Sequence, residues 1–431
     1  MTMNDVIPRM FRLRQRFPQS KPVNIPATVQ SEFNAEGILA HIKPGMNIAV
    51  AVGSRGITNL QRIVAAVLEV LKGAGAQPFI VPAMGSHGGA TPEGQIELLA
   101  EYGITEQQLK VPIRAAMEVE RIGVTDDGVD VNFSAEALKA EGIVVVNRVK
   151  PHTDFSGAIG SGILKMIVIG LGKRIGAATF HAAALHRGYE HTIRTVARVS
   201  LKAAPILCGV AIVENQFHDT AGIAVFKGEE IERREEDLFG DAKNLMPRLP
   251  FDEIDLLIVD RLGKNISGAG MDPNIIGRGI HGYSSLLTDK PPAGPRIRRI
   301  FVRGITPESH GNGIGIGFAD FATARLVRAI DQKVTAVNAL TALTPQSAKI
   351  PIHFDTDREA ITQALISLAL TDTRKARVVR IADTLSLEQM EVSESCLGLV
   401  KSIENLMVAS AVEPMQFDSR DDLRELGSSF H

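Results

Sequence analysis

Cysteine is nearly missing from this chain: Cys208 and Cys396 are the only two in 431 residues. That is too few for a disulfide framework or a self-contained sulfur metal site, and it fits a reducing compartment. Long apolar runs are missing too. The first thirty residues hold no apolar segment of the signal-peptide kind, and the longest hydrophobic stretches are broken by charge or glycine. They stop well short of the roughly 20 residues a bilayer-spanning helix needs. Charge of one sign is not in excess: 47 Lys and Arg stand against 49 Asp and Glu, for a net charge of -2. No global field therefore favours nucleic acid or an anionic membrane. Internal repeats and low-complexity tracts are absent as well. Together these absences predict a cytoplasmic protein with a small-molecule partner. The one local basic run, Arg9, Arg12, Arg14 and Arg16, has no aromatic interleaving beyond Phe11 and Phe17 and reads as a solvated face.

Apolar residues make up 45% and charged residues 22% of the chain, the balance of a globular protein. The length exceeds the roughly 100–200 residues of an ordinary domain, so two are expected. The charge-dense stretch from Lys227 to Lys243, followed by Pro247 and Pro250, puts a boundary near 248. Residues 1–248 are read as the first domain and 249–384 as the second, with 385–431 packing back onto the first.

Hydrophobic periodicity supplies the elements. Asn47 to Gly53 (NIAVAVG) reads as a strand ending in Ser-Arg-Gly, and Asn59 is expected to cap the helical pattern LQRIVAAVLEVLK. A second strand over Gln77 to Pro82 leads into the loop Gly85-Ser86-His87-Gly88-Gly89 and a helix near Thr91-Pro92. Thr105 with Gln108 forms a capping box. The β-branched run Gly142 to Val146 is a buried strand running into Pro151-His152. Beyond the boundary, strands are expected at Asp255 to Asp260, Arg299 to Val302, Ile350 to Phe354 and Ala376 to Ile381, with helices at Ala319 to Ile330 and Asp357 to Leu370. The pattern is α/β: two domains, each with a mainly parallel sheet flanked by helices. Loops after parallel strands carry ligands in such folds, so His87 and His152 are expected at one edge of one sheet, with the active site in the interdomain cleft.

Eleven histidines occur, and four lie in loops flanked by glycine or proline: His87, His152, His281 and His310. Six glycines between Gly157 and Gly176 surround the apolar core ILKMIVIGLG, which holds Lys165. A lysine there is either an attachment or nucleophilic site or a stem reaching the surface from an element's end. Asn312 to Gly317 has dinucleotide-loop glycine spacing but follows no clear strand and lacks a suitably placed acid. It reads as a tight turn.

The ordered set Gly-Ser-Arg55, Gly-Ser-His87-Gly, Pro151-His152, Ser161-Gly162-Ile-Leu-Lys165 and His181 resembles the N-terminal domain of the lactate racemase family, including the sixteen residues from Lys165 to His181. The likeness covers roughly residues 45 to 185. The resemblance implies a nickel-pincer nucleotide, a nicotinic-acid-derived mononucleotide with two thio-acid sulfurs, tethered to Lys165 as a thioamide, with His181 as the protein ligand to nickel. Soft sulfur with imidazole suits Ni(II). It implies a racemase or epimerase of a 2-hydroxy acid working by hydride transfer, with His87 and His152 as paired acid/bases and Arg55 holding the substrate carboxylate. The cofactor-synthesis enzymes would be partners, because this chain does not make the group itself.

The sequence also departs from the family. Val52 stands where lactate racemase has an aspartate before the loop arginine, and the interval from His152 to Lys165 is longer, so that loop is expected to be reshaped. After Asn274-Ile275 the family's glutamine and lysine are missing. Arg278, with His281 behind it, is expected as the replacement substrate cation, or else pairs with a surface carboxylate. The changed pocket points away from lactate itself. Two further readings stay open: a metal- or carboxylate-binding protein without turnover, and a nicotinamide-dependent hydroxy-acid oxidoreductase.

Overall fold

A computed structural model of the protein describes residues 6–53, 56–153, 155–279 and 294–426. Arg55 and His281 lie outside the described residues. The chain divides into two compact units, one built on residues 20–246 and the other on the first nineteen residues together with most of the chain from 247 onward.

The 20–246 unit holds a five-stranded sheet in the order Gln77–Pro82, Asn47–Val52, Gly142–Arg148, Ile206–Glu214, Thr220–Lys227. The first four strands are parallel and the last is antiparallel. Successive side chains of a strand point to opposite faces, and both faces here are covered. Ala49, Ala51, Phe79, Val81, Ile143 and Val145 enter one core with Ile193 and Val196 of the helix Tyr189–Ala203. Ile48, Val50, Val52, Ile80, Val144 and Val146 enter the other with Ile63, Val64 and Val67 of the helix Leu60–Gly73. Burial on both faces is why these strands read as continuous apolar runs; each fully buried Val, Ile or Phe side chain contributes roughly 1.5–3 kcal/mol. The expected elements from Asn47 to Arg148 form. Thr91 accepts a hydrogen bond from the Gly94 amide, and Thr105 from the Gln108 amide. Asn59 behaves differently from expectation. Its backbone is left-handed and its side chain makes no cap; instead its amide donates to Thr220 Oγ1 at 3.1 Å.

The other unit carries a nine-stranded sheet. Ile352–Phe354, Phe321–Thr323, Arg296–Ile305, Glu253–Leu262 and Val378–Ile381 run parallel. An antiparallel extension follows through Gln389–Ser393, Arg9–Gln15 and Leu406–Val408. Two expectations change. The N-terminal strand pairs with Gln389–Ser393, so the first domain does not begin at residue 1, and the segment after 385 pairs within this second sheet rather than returning to the first. Within Arg9–Gln15, Met10, Phe11, Leu13 and Gln15 are buried while Arg9 and Arg14 are exposed, which makes the basic run the solvated side of a strand. Where one helix was expected over Ala319 to Ile330, a short strand, Phe321–Thr323, precedes the helix Ala324–Ala329, capped by the Thr323 side chain. No described helix is long and apolar enough to cross a membrane.

Candidate functional site

The parallel strands Asn47–Val52, Gln77–Pro82 and Gly142–Arg148 end at the same edge, so His87 and His152 both follow carboxyl ends of one sheet. Beside these ends the chain makes one helical turn, Ile163–Lys165, that continues as a π-helical turn, Met166–Gly170. Such turns are rare and gather at functional sites. Contact between the strand ends and this turn is close. A Cβ on Gly53 would stand 2.5 Å from Met166 Cε, and one on Gly85, where φ is +59°, would stand 3.1 Å from the Ile169 carbonyl oxygen.

Lys165 is half-buried, and its Nζ lies 2.6 Å from His152 Nε2. His152 is itself only 8% exposed. Its ring stacks on Phe155 at 4.8 Å between centroids, Phe155 stacks on Tyr189 at 5.5 Å, and Tyr189 Oη lies 3.4 Å from Nδ1 of His181. Lys165, His152, Tyr189 and His181 thus form one contiguous cluster walled by Phe155 and Phe180, whose ring is 5.3 Å from His181. His181 lies within the helix Lys173–Arg187, and Tyr189 opens the next helix just beyond Gly188. The Tyr189 hydroxyl at Nδ1 orients the His181 ring, as the outer partner of a metal-ligating imidazole commonly does. Among the described residues no three His, Cys, Asp or Glu side chains gather to hold an ion.

Two charged groups are buried around this turn. Glu235, from the helix Ile231–Asn244, accepts from the Leu164 amide at 3.0 Å, while its Oε1 has no hydrogen-bond partner. Burial pushes its carboxyl up to about 7. Lys173 is fully buried, and burial pulls its ammonium down to about 8, partly offset by Glu118. Perturbation of this kind concentrates at functional sites.

The remaining expected residues are placed as follows. His87 is half-buried before the short turn Gly88–Ala90, its carbonyl accepting from Gln95 Nε2 at 3.3 Å. Arg278 donates to Asp320 at 2.6 Å and to the Phe318 carbonyl at 2.5 Å. The guanidinium thereby ties a loop to a carboxylate and to neighbouring backbone. The turn at Asn312 to Gly317 is tight, with Gly315 at φ 92°. Arg148 was not foreseen. It pairs with Glu214 and donates to the Gly56 carbonyl at 3.0 Å, while Glu214 accepts from the Thr58 amide at 2.7 Å, so the pair holds the loop after Val52. Sequence reasoning also missed Tyr189, Phe155, Lys173 and Glu235. A tyrosine just past a glycine and a second lysine in the glycine-rich stretch were the available signals; Glu235 had none inside its charged helix.

Residues 11–192 match the family described as the lactate racemase N-terminal domain. Among solved structures the chain is similar to the lactate racemase apoprotein from Thermoanaerobacterium thermosaccharolyticum, at 13% identity over 90% of this chain and 95% of that one, with a TM-score of 0.49. It is also similar to a protein from Thermotoga maritima, at 11% identity over 77% of this chain and 84% of that one, with a TM-score of 0.48. No protein with a curated description matches.

Proposed function

We propose, from the match of residues 11–192 to the lactate racemase N-terminal domain and from the site's geometry, that the chain is a racemase or epimerase of a 2-hydroxy acid. The observation that carries the reading is the cluster in which Lys165 Nζ meets His152 Nε2 at 2.6 Å and Tyr189 orients His181 at 3.4 Å. Lys165 would tether a nickel-pincer nucleotide, and His181 would be the protein ligand to its nickel. When bound, that group supplies a hydride acceptor and donor for the substrate's α-carbon.

The chain's own residues do the rest. His152, whose Nε2 lies 2.6 Å from Lys165 Nζ, would take the substrate's hydroxyl proton. A 2-keto acid results, and His87 serves the opposite face, so that either configuration can be restored. The wall of Phe155, Phe180 and Tyr189 keeps water from the keto acid. Magnitudes favour hydride chemistry over simple proton abstraction. A positioned acid or base supplies roughly 10²–10⁴-fold, too little to remove a weakly acidic C–H beside an ionised carboxylate.

The test uses protein produced together with the pincer-synthesis enzymes and nickel, assayed on a panel of 2-hydroxy acids and sugar acids deuterated at the α-carbon. Exchange of configuration with the deuterium retained is expected. Washout of deuterium into water would contradict hydride transfer.

A further inference from the structure

Lys173 is a lysine with no exposed surface in a backbone conformation that lysines avoid: φ is 54° and the side chain is fully buried. An ammonium taken out of water costs several kcal/mol unless its donors are met, and a left-handed non-glycine residue adds strain. Something must hold it there. Its Nζ donates to the Pro82 carbonyl at 2.6 Å, at the carboxyl end of the strand Gln77–Pro82, and to Gln95 Oε1 at 3.2 Å. Gln95 is also without exposed surface, and its Nε2 donates to the Gly85 carbonyl at 3.1 Å and the His87 carbonyl at 3.3 Å. A chain of buried polar contacts therefore runs from the segment just after the Lys165 turn, through the helix Pro92–Glu101, to the backbone of the loop carrying His87.

We propose that Lys173 and Gln95 are positioning residues that fix the His87 loop against the Lys165-bearing segment. The inference rests on the reading of His87 and Lys165 as the acid/base and the tether. Neither Lys173 nor Gln95 touches a reacting atom. Their effect is on where His87 stands, and a displacement of about 1 Å at such a group lowers turnover on the order of 10²-fold. Gln95 is suited to the task because an amide can accept from Lys173 while donating to two carbonyls. A carboxylate of the same size keeps the first contact and loses both of the others.

The test follows imidazole resonances in the full-length, cofactor-free chain labelled at histidine, with the His87 signal assigned through His87→Gln. Gln95→Glu and Lys173→Met are expected to move the His87 signal and leave the His181 signal in place. Leu99→Ala serves as the control for general loosening: it lies on the same helix as Gln95 but belongs to the apolar core with Ile63 and Val67. It is expected to lower Tm without moving His87. An unmoved His87 signal in Gln95→Glu overturns the proposal, as does an equal movement in Leu99→Ala; if Lys173→Met does not fold, Gln95→Glu decides. Because the readout needs no cofactor, failure of the tether to form would overturn the functional reading alone.

Discussion

Buried charge is handled in two ways in the two units of this protein. In the unit built on the nine-stranded sheet it is neutralised by partners. Asp357, with no exposed side-chain surface, binds Arg303 at 2.7 Å and Arg325 at 2.5 Å. Arg380 meets Asp260 at 2.8 Å and Glu391 at 2.9 Å, and Arg303 closes the set by pairing with Asp260 at 3.0 Å. In the 20–246 unit Arg148 and Glu214 also pair, but Lys173 and Glu235 are buried with no ion pair among the described residues, their ordinary charges displaced toward neutrality. A paired network of charges is what a structural lock needs. Lys173 and Glu235 instead flank the turn that carries Lys165, and perturbed groups of this kind concentrate at functional sites. The contrast supports the proposal that the chemistry lies in the first unit and that the paired charges of the second keep its structure.

The comparison can be broken at several points. His152→Gln should have the largest effect on turnover, lowering kcat by roughly 10²–10⁴-fold while the adduct on Lys165 still forms; intact kcat would remove His152 from the reaction. Asp357→Ala leaves two arginines facing an empty site and should cost about 3–5 kcal/mol of stability, read by chemical denaturation, with the Lys165 adduct unaffected in the folded fraction. Loss of the adduct from folded protein would mean the second unit's charges are not merely structural.

Glu235→Gln sharpens the contrast through pH. The carboxyl has an ordinary value of 4.5 and is raised to about 7 in the folded chain by burial. A raised value means the folded state binds the proton more tightly. This group's contribution to stability is therefore greatest below 4.5 and is lost as pH rises toward 7. The wild type should lose roughly 3 kcal/mol or less from this source across that window, and Glu235→Gln should flatten the slope. An unchanged slope would show that the carboxyl is not held in the way its unpartnered Oε1 indicates. The smallest effect belongs to Arg278→Met. With its guanidinium engaged by Asp320 and the Phe318 carbonyl, loss of about 1 kcal/mol of stability with unchanged KM is expected. A many-fold rise in KM would restore it as a substrate contact.

Much of the 20–246 unit was legible in the sequence because its inner strands are buried on both faces and the helices Pro92–Glu101 and Glu106–Leu109 start at side-chain caps. The run NIAVAVG and the β-branched run at Gly142 could hardly be anything but inner strands. The spacing of Lys165 and His181 was legible for a different reason, as a pattern of residue types rather than a consequence of periodicity. The contacts that complete the site were not. Tyr189 and Phe155 look like ordinary core aromatics until the fold brings them between His152 and His181, and Gln95 looks like a surface residue of an amphipathic helix. The N-terminal strand escaped attention because its partners, Gln389–Ser393 and Leu406–Val408, lie at the far end of the chain. Local pattern carries no information about such pairing. The strand Phe321–Thr323 was absorbed into a helix because three residues are too few to show a period of two.

The central claim is that Lys165 is a tether. The most direct measurement is intact-peptide mass spectrometry of protein made together with the pincer-synthesis enzymes and nickel, alongside Lys165→Ala made the same way. A mass adduct confined to the peptide containing Lys165, and absent from the variant, is the result expected. An unmodified Lys165 under those conditions would contradict the account.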